Sequence, residues 1–291
     1  MKKIKMILVD LNQVMISNLM MQIRNASEVD ENLIRHMVLN SLRMYNVKFK
    51  EEYGDMVICA DDKKYWRREL FPYYKASRKK AREESALDWN LIFESLNKIR
   101  DELKETFPYT VLQIDHAEAD DIVATLCHEH GVYLKNDATE KILILSSDKD
   151  FLQLQKFANV EQYSPMQKKF LKESNPERFL KEHIMKGDKG DGIPNFLSPD
   201  DIFVSDGRQK PVTEKKLNTW VTQNPESFCD EVMLRNYRRN EMLIDLSKIP
   251  EDYKQKILSA FQNAPEKGRE KIFNYFVKHR MKMLMEHIQE F

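Results

Sequence analysis

Short apolar runs that stop at or lead to a carboxylate recur along the first 150 residues, and this pattern restricts the fold more than any other feature. A run of this length, closed by polar residues, is typical of a strand buried within a parallel sheet. The runs are Met6–Val9 before Asp10, Asp55–Ala60 before Asp61, Thr110–Ile114 toward Glu118, and Lys141–Leu145 toward Asp148. The sequence therefore predicts parallel strands that deliver acids at their carboxyl ends.

Helical patterns lie between these strands. Ile34, Val38, Leu42 and Tyr45 share one helix face, and a similar apolar stripe runs from Ile92 to Phe107 at steps of three or four. Strands alternating with helices predict an α/β fold whose central, mostly parallel sheet is flanked by helices. Ligands bind such sheets beyond the carboxyl ends of the strands, which is where the isolated acids fall.

The pattern changes after about residue 172, where helices and polar connections replace the strands. Asn175 is a helix N-cap candidate before Pro176 at the first helical position, and Gly187 should end that helix. A flexible loop is predicted at 192–211 from its Gly, Pro and Asp content. Further helices are predicted at 214–221, 225–242, 252–263 and 267–288. We therefore predict an α/β core at 1–172 and a smaller, all-helical domain at 173–291.

Composition excludes several classes of protein. Lys plus Arg and Asp plus Glu both number 47, so net positive charge cannot be what attracts a nucleic acid. No apolar run reaches the roughly 20 residues of a membrane span, which predicts a soluble, intracellular protein. Three cysteines without CxxC spacing predict neither a disulfide framework nor a zinc site; Cys59, Cys127 and Cys229 are expected to be buried thiols.

The acids of five separated segments form a candidate metal site. Like charges in a partly dry cleft repel and need cations, and hard oxygen ligands favour Mg²⁺ or Mn²⁺. Two ions roughly 3.5–4 Å apart would activate water and stabilise the departing 3′ oxygen of a phosphodiester. Taken alone, an acid such as Asp10 or Asp121 is better explained as an N-cap, a turn residue or a surface charge, and Asp121 is the weakest member, interpreted as a helix cap. As a set the acids predict metal binding, because clustered carboxylates at a ligand-binding edge are costly without a function.

Basic and aromatic residues are mixed between Tyr65 and Arg82, the combination expected for phosphate attraction and base stacking. Lys75 and Arg82 are seven residues apart, which predicts one helix face carrying Arg78 and Lys79 between them. The alternative is a solvated basic face, with Trp66 and Tyr73 anchored in the core.

Two further features are weaker. The glycine-rich turn 187–194 is suited to presenting backbone groups to a duplex phosphate. Four of the seven histidines show no metal-site spacing and are predicted to be surface or capping residues; they are His116, His128, His130 and His183.

In this order the motifs resemble the flap-endonuclease or 5′ nuclease superfamily, most closely its ribonuclease H branch from T-even-like bacteriophages. They are Ile7–Asp10, Ile58–Asp61, Tyr65–Arg68, Tyr73–Lys75, Lys80–Ser85, Glu118–Asp121, Ser146–Asp150, Gly187-Asp188 and, least specific, Gln289–Phe291. The resemblance runs nearly end to end. It implies a PIN-like core, a bridge region at 63–85 over the active site, and a helix-turn-helix variant in the helical domain that grips duplex DNA.

The resemblance also implies roles for individual residues. The implied metal cluster is Asp10, Asp61, Glu118, Asp120, Asp148, Asp150, Asp188 and Asp191. The implied catalytic residues are Asp10, Asp61, Asp120, Asp148, Asp150 and Lys75. Tyr74, Lys75, Arg78 and Arg82 are implied to steer the scissile phosphate, and the basic segment adds Arg67, Arg68 and Lys79 as expected nucleic-acid contacts.

The implied activity is Mg²⁺-dependent 5′–3′ hydrolysis of RNA–DNA hybrid and duplex DNA by two ions, with Mn²⁺ as a substitute. Flap and fork cleavage would accompany it, and the expected role is primer removal in phage DNA replication by a monomer in the host cytoplasm. A single-stranded-DNA-binding protein and a sliding clamp stay open as partners, as does a monovalent cation in the glycine turn. Two alternatives remain: a non-catalytic protein that binds forked DNA, and a PIN-type single-strand ribonuclease.

Overall fold

The computed structural model describes residues 4–23, 30–85, 87–134, 140–205 and 207–291. It contains one six-stranded sheet in the order β3-β2-β1-β4-β5-β6. All neighbouring pairs are parallel except β5 and β6. The strands are β1 Met6–Asp10, β2 Asp55–Ala60, β3 Thr110–Gln113, β4 Ile142–Leu145, β5 Val160–Ser164 and β6 Lys169–Leu171. The predicted mostly parallel sheet is confirmed, with two more strands than the apolar runs indicated.

Helices flank the sheet and form most of the chain after residue 175. In the core they are α1 Leu11–Ile23, α2 Glu31–Tyr53, α3 Trp66–Leu70, α4 Ser77–Glu83, α5 Trp89–Thr106 and α6 Ala119–His130. They continue with α7 Pro176–Lys186, α8 Glu214–Trp220, α9 Glu231–Ile244, α10 Glu251–Gln262, α11 Ile272–Lys278 and α12 Lys282–Met285. Short 3₁₀ helices span Lys149–Lys156, Pro225–Ser227 and Ile288–Glu290. No helix in the described ranges is long and apolar enough to cross a membrane.

Alternate residues of the central strands face two separate apolar layers, as the period of two in a strand requires. Ile7 and Val9 pack with α1, α2 and α5 on one side, whereas Met6 and Leu8 pack with α6 on the other. Burial on both sides explains why these strands are apolar throughout. Cys59 and Cys127 are buried as expected, but Cys229 is only half-buried.

The first helix after the sheet begins and ends as predicted. The Asn175 side chain accepts a hydrogen bond from the Arg178 backbone N–H at 3.0 Å, and Pro176 follows at the first helical position. Gly187 ends α7 with a φ of 67°, where a Cβ atom would stand 2.4 Å from the Ile193 carbonyl oxygen. Only glycine fits such a position without strain. The turn that carries Asp188 is therefore fixed by the sequence.

The helical region packs in two parts. Helices α7, α8 and α9 share an apolar cluster that also contains Phe71 and Tyr74. By contrast, Ile257 of α10 packs beneath α6, and Phe276 of α11 packs with α2 and α5. The predicted helix at 267–288 is wrong, because Arg280 adopts a left-handed φ of 56° between α11 and α12. The long helix predicted at 225–242 instead begins at residue 231, after a 3₁₀ turn.

Candidate active site

Four of the predicted carboxylates line one cleft of about 610 Å³ at the carboxyl edge of the sheet. Asp10 ends β1, Asp61 directly follows β2, Asp120 lies in the first turn of α6, and Asp148 precedes the 3₁₀ helix after β4. Tyr65, Lys75, Arg78 and Arg82 line the same cleft. The structure thus brings acids and cations from distant parts of the chain together.

Hydrogen bonds hold these carboxylates in place. Ser146 Oγ donates to Asp10 Oδ2 at 3.1 Å, and the Gln13 backbone N–H donates to Asp10 Oδ1 at 3.1 Å. Asp61 accepts from Asn12 Nδ2 and from a backbone N–H of α6, both at 2.7 Å. A carboxylate offers about four lone-pair sites, so each of these groups retains acceptor capacity for a cation.

Burial and mutual repulsion disfavour ionisation of these acids. Burial, followed by the charge of Asp61, raises the pKa of Asp10 to about 7. Burial is also the largest cause of the raised pKa values of Asp61, Asp120 and Asp148. Such a group is stabilised in its ionised form by added positive charge, and a set of hard carboxylate oxygens fits a divalent ion of the Mg²⁺ or Mn²⁺ class. The side chains present therefore fit the predicted metal.

Glu118 differs from the neighbouring carboxylates because cationic side chains of the protein bind it directly. It is 1% exposed and accepts from Arg67 Nη1 at 2.8 Å, from the Tyr74 hydroxyl at 3.0 Å, and from Lys75 Nζ. Burial alone would raise the pKa of Glu118, but Lys75 and Arg67 outweigh it and lower that pKa to about 2. Protein cations therefore neutralise Glu118 in this structure, and its assignment as a metal ligand stays a prediction.

Two residues predicted to contact nucleic acid are buried. Arg67 is 2% exposed, and its guanidinium pairs with Glu118 and Asp121, each at 2.8 Å. Tyr74 is also 2% exposed, and its hydroxyl oxygen lies 3.0 Å from Glu118 Oε2 and 3.1 Å from Asp191 Oδ2, with its one proton shared between these carboxylates. The polar atoms of Arg67 and Tyr74 are bound inside the protein in this structure, and their contact with nucleic acid stays a prediction.

Asp121 caps its helix, as interpreted from the sequence. It is fully buried, and its Oδ2 accepts from the Glu118 backbone N–H at 2.9 Å and from Trp66 Nε1 at 3.0 Å. Trp66 is the core anchor that the alternative reading of the basic segment expected, whereas Tyr73 is 37% exposed.

The bridge does not form the single helical row that was predicted. Lys75 has a left-handed φ of 56°, and α4 begins only at Ser77. Lys75 therefore points to Glu118, and Arg78 and Arg82 line the cleft. Arg68 and Lys79 line a neighbouring groove of about 380 Å³ that shares the bridge.

A second group of possible ligands lies beside the first. Single ligand atoms of Asp150, His183 and Asp188 lie within 4.8 Å of one another. His183 Nε2 is 3.2 Å from Asp188 Oδ2, and Lys149 Nζ is 2.8 Å from the same oxygen. His183 is 5% exposed, so its prediction as a surface or capping residue is wrong. The available signal was its place in the last turn of α7, five residues before Asp188.

The glycine turn locks against the bridge. Asp191 pairs with Arg78 and lies 3.6 Å from Lys75 Nζ, and its carbonyl accepts from the Lys75 backbone N–H at 2.7 Å. Gly192 has a φ of 72°, and a Cβ there would stand 2.9 Å from the Tyr73 carbonyl oxygen. The turn thus fixes the position of Lys75, and metal binding by Asp191 stays a prediction.

A carboxylate cleft at the edge of a parallel sheet, faced by a basic bridge, is suited to phosphodiester cleavage. The family model described as 5′-3′ exonuclease, N-terminal resolvase-like domain, matches residues 5–184, and that described as T4 RNase H, C terminal, matches residues 174–291. Ribonuclease H of Enterobacteria phage T4 is 35% identical over 295 residues, covering 98% of this chain and 95% of that protein. The chain belongs to this 5′-3′ exonuclease family and is a nuclease.

Solved structures share the fold. The T5 D15 protein co-crystallised with metal ions has a TM-score of 0.59 and 17% identity, covering 89% of this chain and 99% of that one. T5 5′-exonuclease with bound zinc also has a TM-score of 0.59, with 18% identity and coverage of 90% and 99%. The bacteriophage T5 D15 flap endonuclease in a complex with DNA and metal ions has a TM-score of 0.59 and 16% identity, with coverage of 89% and 99%. The predicted PIN-like core followed by a helical region is confirmed.

Proposed function

We propose that this nuclease requires divalent ions and hydrolyses RNA–DNA hybrid and duplex DNA from the 5′ end, with cleavage at flaps and forks. One observation carries the proposal: four carboxylates with raised pKa values share a cleft with three bridge cations. The substrate classes follow the relatives, since one is named ribonuclease H and another a flap endonuclease in complex with DNA.

The cleft residues have two proposed roles, metal binding and charge stabilisation. Asp10, Asp61, Asp120 and Asp148 would hold Mg²⁺, with Mn²⁺ as a substitute, and Asp150 and Asp188 would complete a second ion position. Bound there, the ions supply Lewis-acid activation of water and neutralise charge on the phosphate. The chain itself supplies Lys75, whose pKa is raised well above its ordinary value because Asp191 and Glu118 outweigh the effect of burial. Lys75 is therefore a fixed cation, and such a preorganised charge stabilises a phosphoryl transition state.

The helical region would hold the duplex. We propose the division into a core at 1–172, with its bridge at 63–85, and a duplex-binding domain at 173–291. Turn 187–194 links the two, since it carries Asp188 and contacts Lys75. The physiological role proposed is primer removal by a monomer in the host cytoplasm. A single-stranded-DNA-binding protein and a sliding clamp are the partners to test.

A substrate panel tests this function. A 5′-labelled RNA–DNA hybrid, a DNA flap and single-stranded RNA are incubated with the full chain in Mg²⁺, with and without chelator. Cleavage of the hybrid and the flap that chelator abolishes is the expected result. Preferential cleavage of single-stranded RNA would instead indicate a PIN-type ribonuclease, and binding to the flap without hydrolysis would indicate a non-catalytic fork-binding protein.

A further inference from the structure

A buried pair of polar atoms beside the cleft lacks hydrogen-bond partners. Within the described part of the chain, neither His183 Nδ1 nor Asp150 Oδ1 makes a hydrogen bond, and the two atoms are 3.5 Å apart. His183 is only 5% exposed, so bulk solvent does not supply a hydrogen-bond partner for its Nδ1 atom. Unpaired buried polar atoms are rare and costly, which points to a missing group between these two.

The proton count of imidazole defines what that group is. A neutral imidazole carries one N–H, and at His183 the Nε2 atom lies 3.2 Å from Asp188 Oδ2, where it can donate that proton. The Nδ1 lone pair then faces the Asp150 carboxylate, and two acceptors repel. A cation between them satisfies both. Nitrogen and oxygen ligands at about 2.1 Å from one tetrahedral ion stand about 3.4 Å apart, close to the observed 3.5 Å.

We propose that His183 Nδ1 is a nitrogen ligand to an ion shared with Asp150, that Asp188 orients the imidazole through Nε2, and that the imidazole makes this position prefer late first-row transition ions to Mg²⁺. Imidazole suits late first-row ions such as Co²⁺ and Zn²⁺, whereas Mg²⁺ takes oxygen ligands almost exclusively and Mn²⁺ also favours carboxylate oxygens. The inference rests on the proposed function in placing an ion at Asp150. What it adds is the imidazole and the resulting ion preference.

The competing explanation is a salt bridge in which a doubly protonated His183 links the two carboxylates. Lys149 Nζ already lies 2.8 Å from Asp188, so that carboxylate has a cation without His183. For Asp150, His183 is the one cationic side chain within salt-bridge distance among the described residues. The two explanations predict opposite effects when His183 is removed. If His183 is a metal ligand, its removal weakens the binding of transition ions. If His183 is a cation that competes with the metal, its removal strengthens the binding of every divalent ion.

Metal titration distinguishes them. Co²⁺, Mn²⁺ and Mg²⁺ are titrated separately by calorimetry into the metal-free full chain without nucleic acid, and Co²⁺ binding is also followed by its visible absorption. His183→Gln should weaken Co²⁺ binding at one position at least about ten-fold, weaken Mn²⁺ binding by a smaller factor, change Mg²⁺ binding less than about two-fold, and alter the Co²⁺ spectrum. His128→Gln is the matched control, because His128 is a half-buried histidine of α6 whose Nε2 also lacks a partner; it should behave as the wild type.

A second variant keeps the test decisive if glutamine disturbs folding, which thermal denaturation will show. His183→Asp retains a ligand but replaces nitrogen with oxygen, so it should shift the ratio of Co²⁺ to Mg²⁺ affinity toward Mg²⁺. Unchanged Co²⁺ affinity and spectrum in both variants, or tighter binding of all three ions in His183→Gln, would overturn the proposal. Loss of the proposed function is a separate result: it would appear as intact Co²⁺ binding by the wild type without hydrolysis of the substrate panel.

Discussion

Seven acids around the cleft fall into two groups, which differ in whether the protein supplies a neutralising cation. The open acids are Asp10, Asp61, Asp120 and Asp148, which accept hydrogen bonds or have raised pKa values but make no ion pair within the described ranges. The paired acids are Glu118, Asp121 and Asp191, which bind cationic side chains directly. Burial is similar, so the difference lies in the supply of positive charge.

This difference distinguishes carboxylates that are available to bind cations from carboxylates that hold basic side chains in place. A buried carboxylate without a cation costs free energy at neutral pH, and a site that retains four of them is suited to binding cations from solution. The paired acids instead hold Lys75, Arg67 and Arg78 in fixed positions. Lys75 connects the groups, since its charge partly offsets the raised pKa of Asp61 and of Asp120.

The largest expected effect is on catalysis by the open acids. Asp148→Asn or Asp120→Asn should reduce kcat about 10³-fold or more while DNA binding stays largely intact, because ion stabilisation of the transition state contributes several kcal/mol and each 1.4 kcal/mol corresponds to about ten-fold. Single-turnover cleavage of a labelled flap in Mg²⁺ measures the loss.

The matched control for this prediction is Asp62→Asn. Asp62 follows Asp61 in the chain but lies outside the cleft lining, and it accepts from the His116 backbone N–H at 2.8 Å, a bond that asparagine can keep. It should retain nearly full activity. Turnover by Asp148→Asn at the rate of this control would remove the distinction between open and paired acids.

The sequence was sufficient to predict where the open acids lie, because their positions follow from local strand and helix patterns. A strand that stops at an acid places Asp10 or Asp61 at the ligand-binding edge whatever the rest of the chain does. Pairing follows no local rule. Arg67 and Arg82 lie in the same basic and aromatic segment of the sequence, yet Arg67 is buried and Arg82 lines the cleft. This difference in burial arises only in the folded chain, where Arg67 binds Glu118 before α6 and the Leu243 carbonyl of α9.

Elements with mixed polarity were missed for a related reason. Strand β5 carries Glu161 and Gln162 among its apolar residues, so it gives no continuous apolar run. Gln162 is fully buried, and it donates to the carbonyls of Ser146 and Asp148 at 3.0 and 2.6 Å. It therefore supports the loop that carries an open acid, and only the folded sheet reveals that role.

The next largest effect is on stability, through the paired acids. Arg67→Met should lower the free energy of unfolding by roughly 3–5 kcal/mol, because removing one partner of a buried ion pair leaves Glu118 and Asp121 with an uncompensated charge. Urea denaturation monitored by circular dichroism measures this change.

Arg78→Met provides the comparison, since the Arg78 side chain is 43% exposed although it pairs with Asp191. Its effect on the free energy of unfolding should be under about 1 kcal/mol, as for other solvent-screened pairs. Equal destabilisation by the two variants would show that the buried network around Glu118 does not form part of the framework.

The pH dependence of stability should have opposite signs for the two groups. The pKa of Asp10 is about 7 in the folded chain and 3.8 ordinarily, so its contribution is complete below pH 3.8 and is lost as pH rises through 7. The pKa of Glu118 is about 2 against an ordinary 4.5, so its contribution is complete above pH 4.5 and is lost as pH falls through 2. In chelator, the melting temperature should fall by on the order of 5 °C between pH 5 and 8.

Asp10→Asn isolates the first of these contributions, because it removes a titrating open acid and leaves the histidines unchanged. The variant should show a smaller decline between pH 5 and 8 than the wild type in chelator, and Mg²⁺ should stabilise the wild type more at pH 8 than at pH 5. Identical pH profiles for the two proteins would contradict the assignment of Asp10 to the open acids.

The smallest effect concerns a cation that faces the open acids without being paired. Among the described residues no carboxylate lies within salt-bridge distance of Arg82, which lines the cleft and stacks 4.7 Å from the Phe93 ring centre. Because this charge is free to meet a phosphate, Arg82→Gln should raise KM about three- to ten-fold and reduce the slope of log KM against log salt by about 1. Lys278→Gln, an exposed cation of α11 outside the cleft lining, should change neither quantity. A salt slope for Arg82→Gln equal to that of Lys278→Gln would place the substrate phosphates away from Arg82 and confine phosphate neutralisation to Lys75 and Arg78.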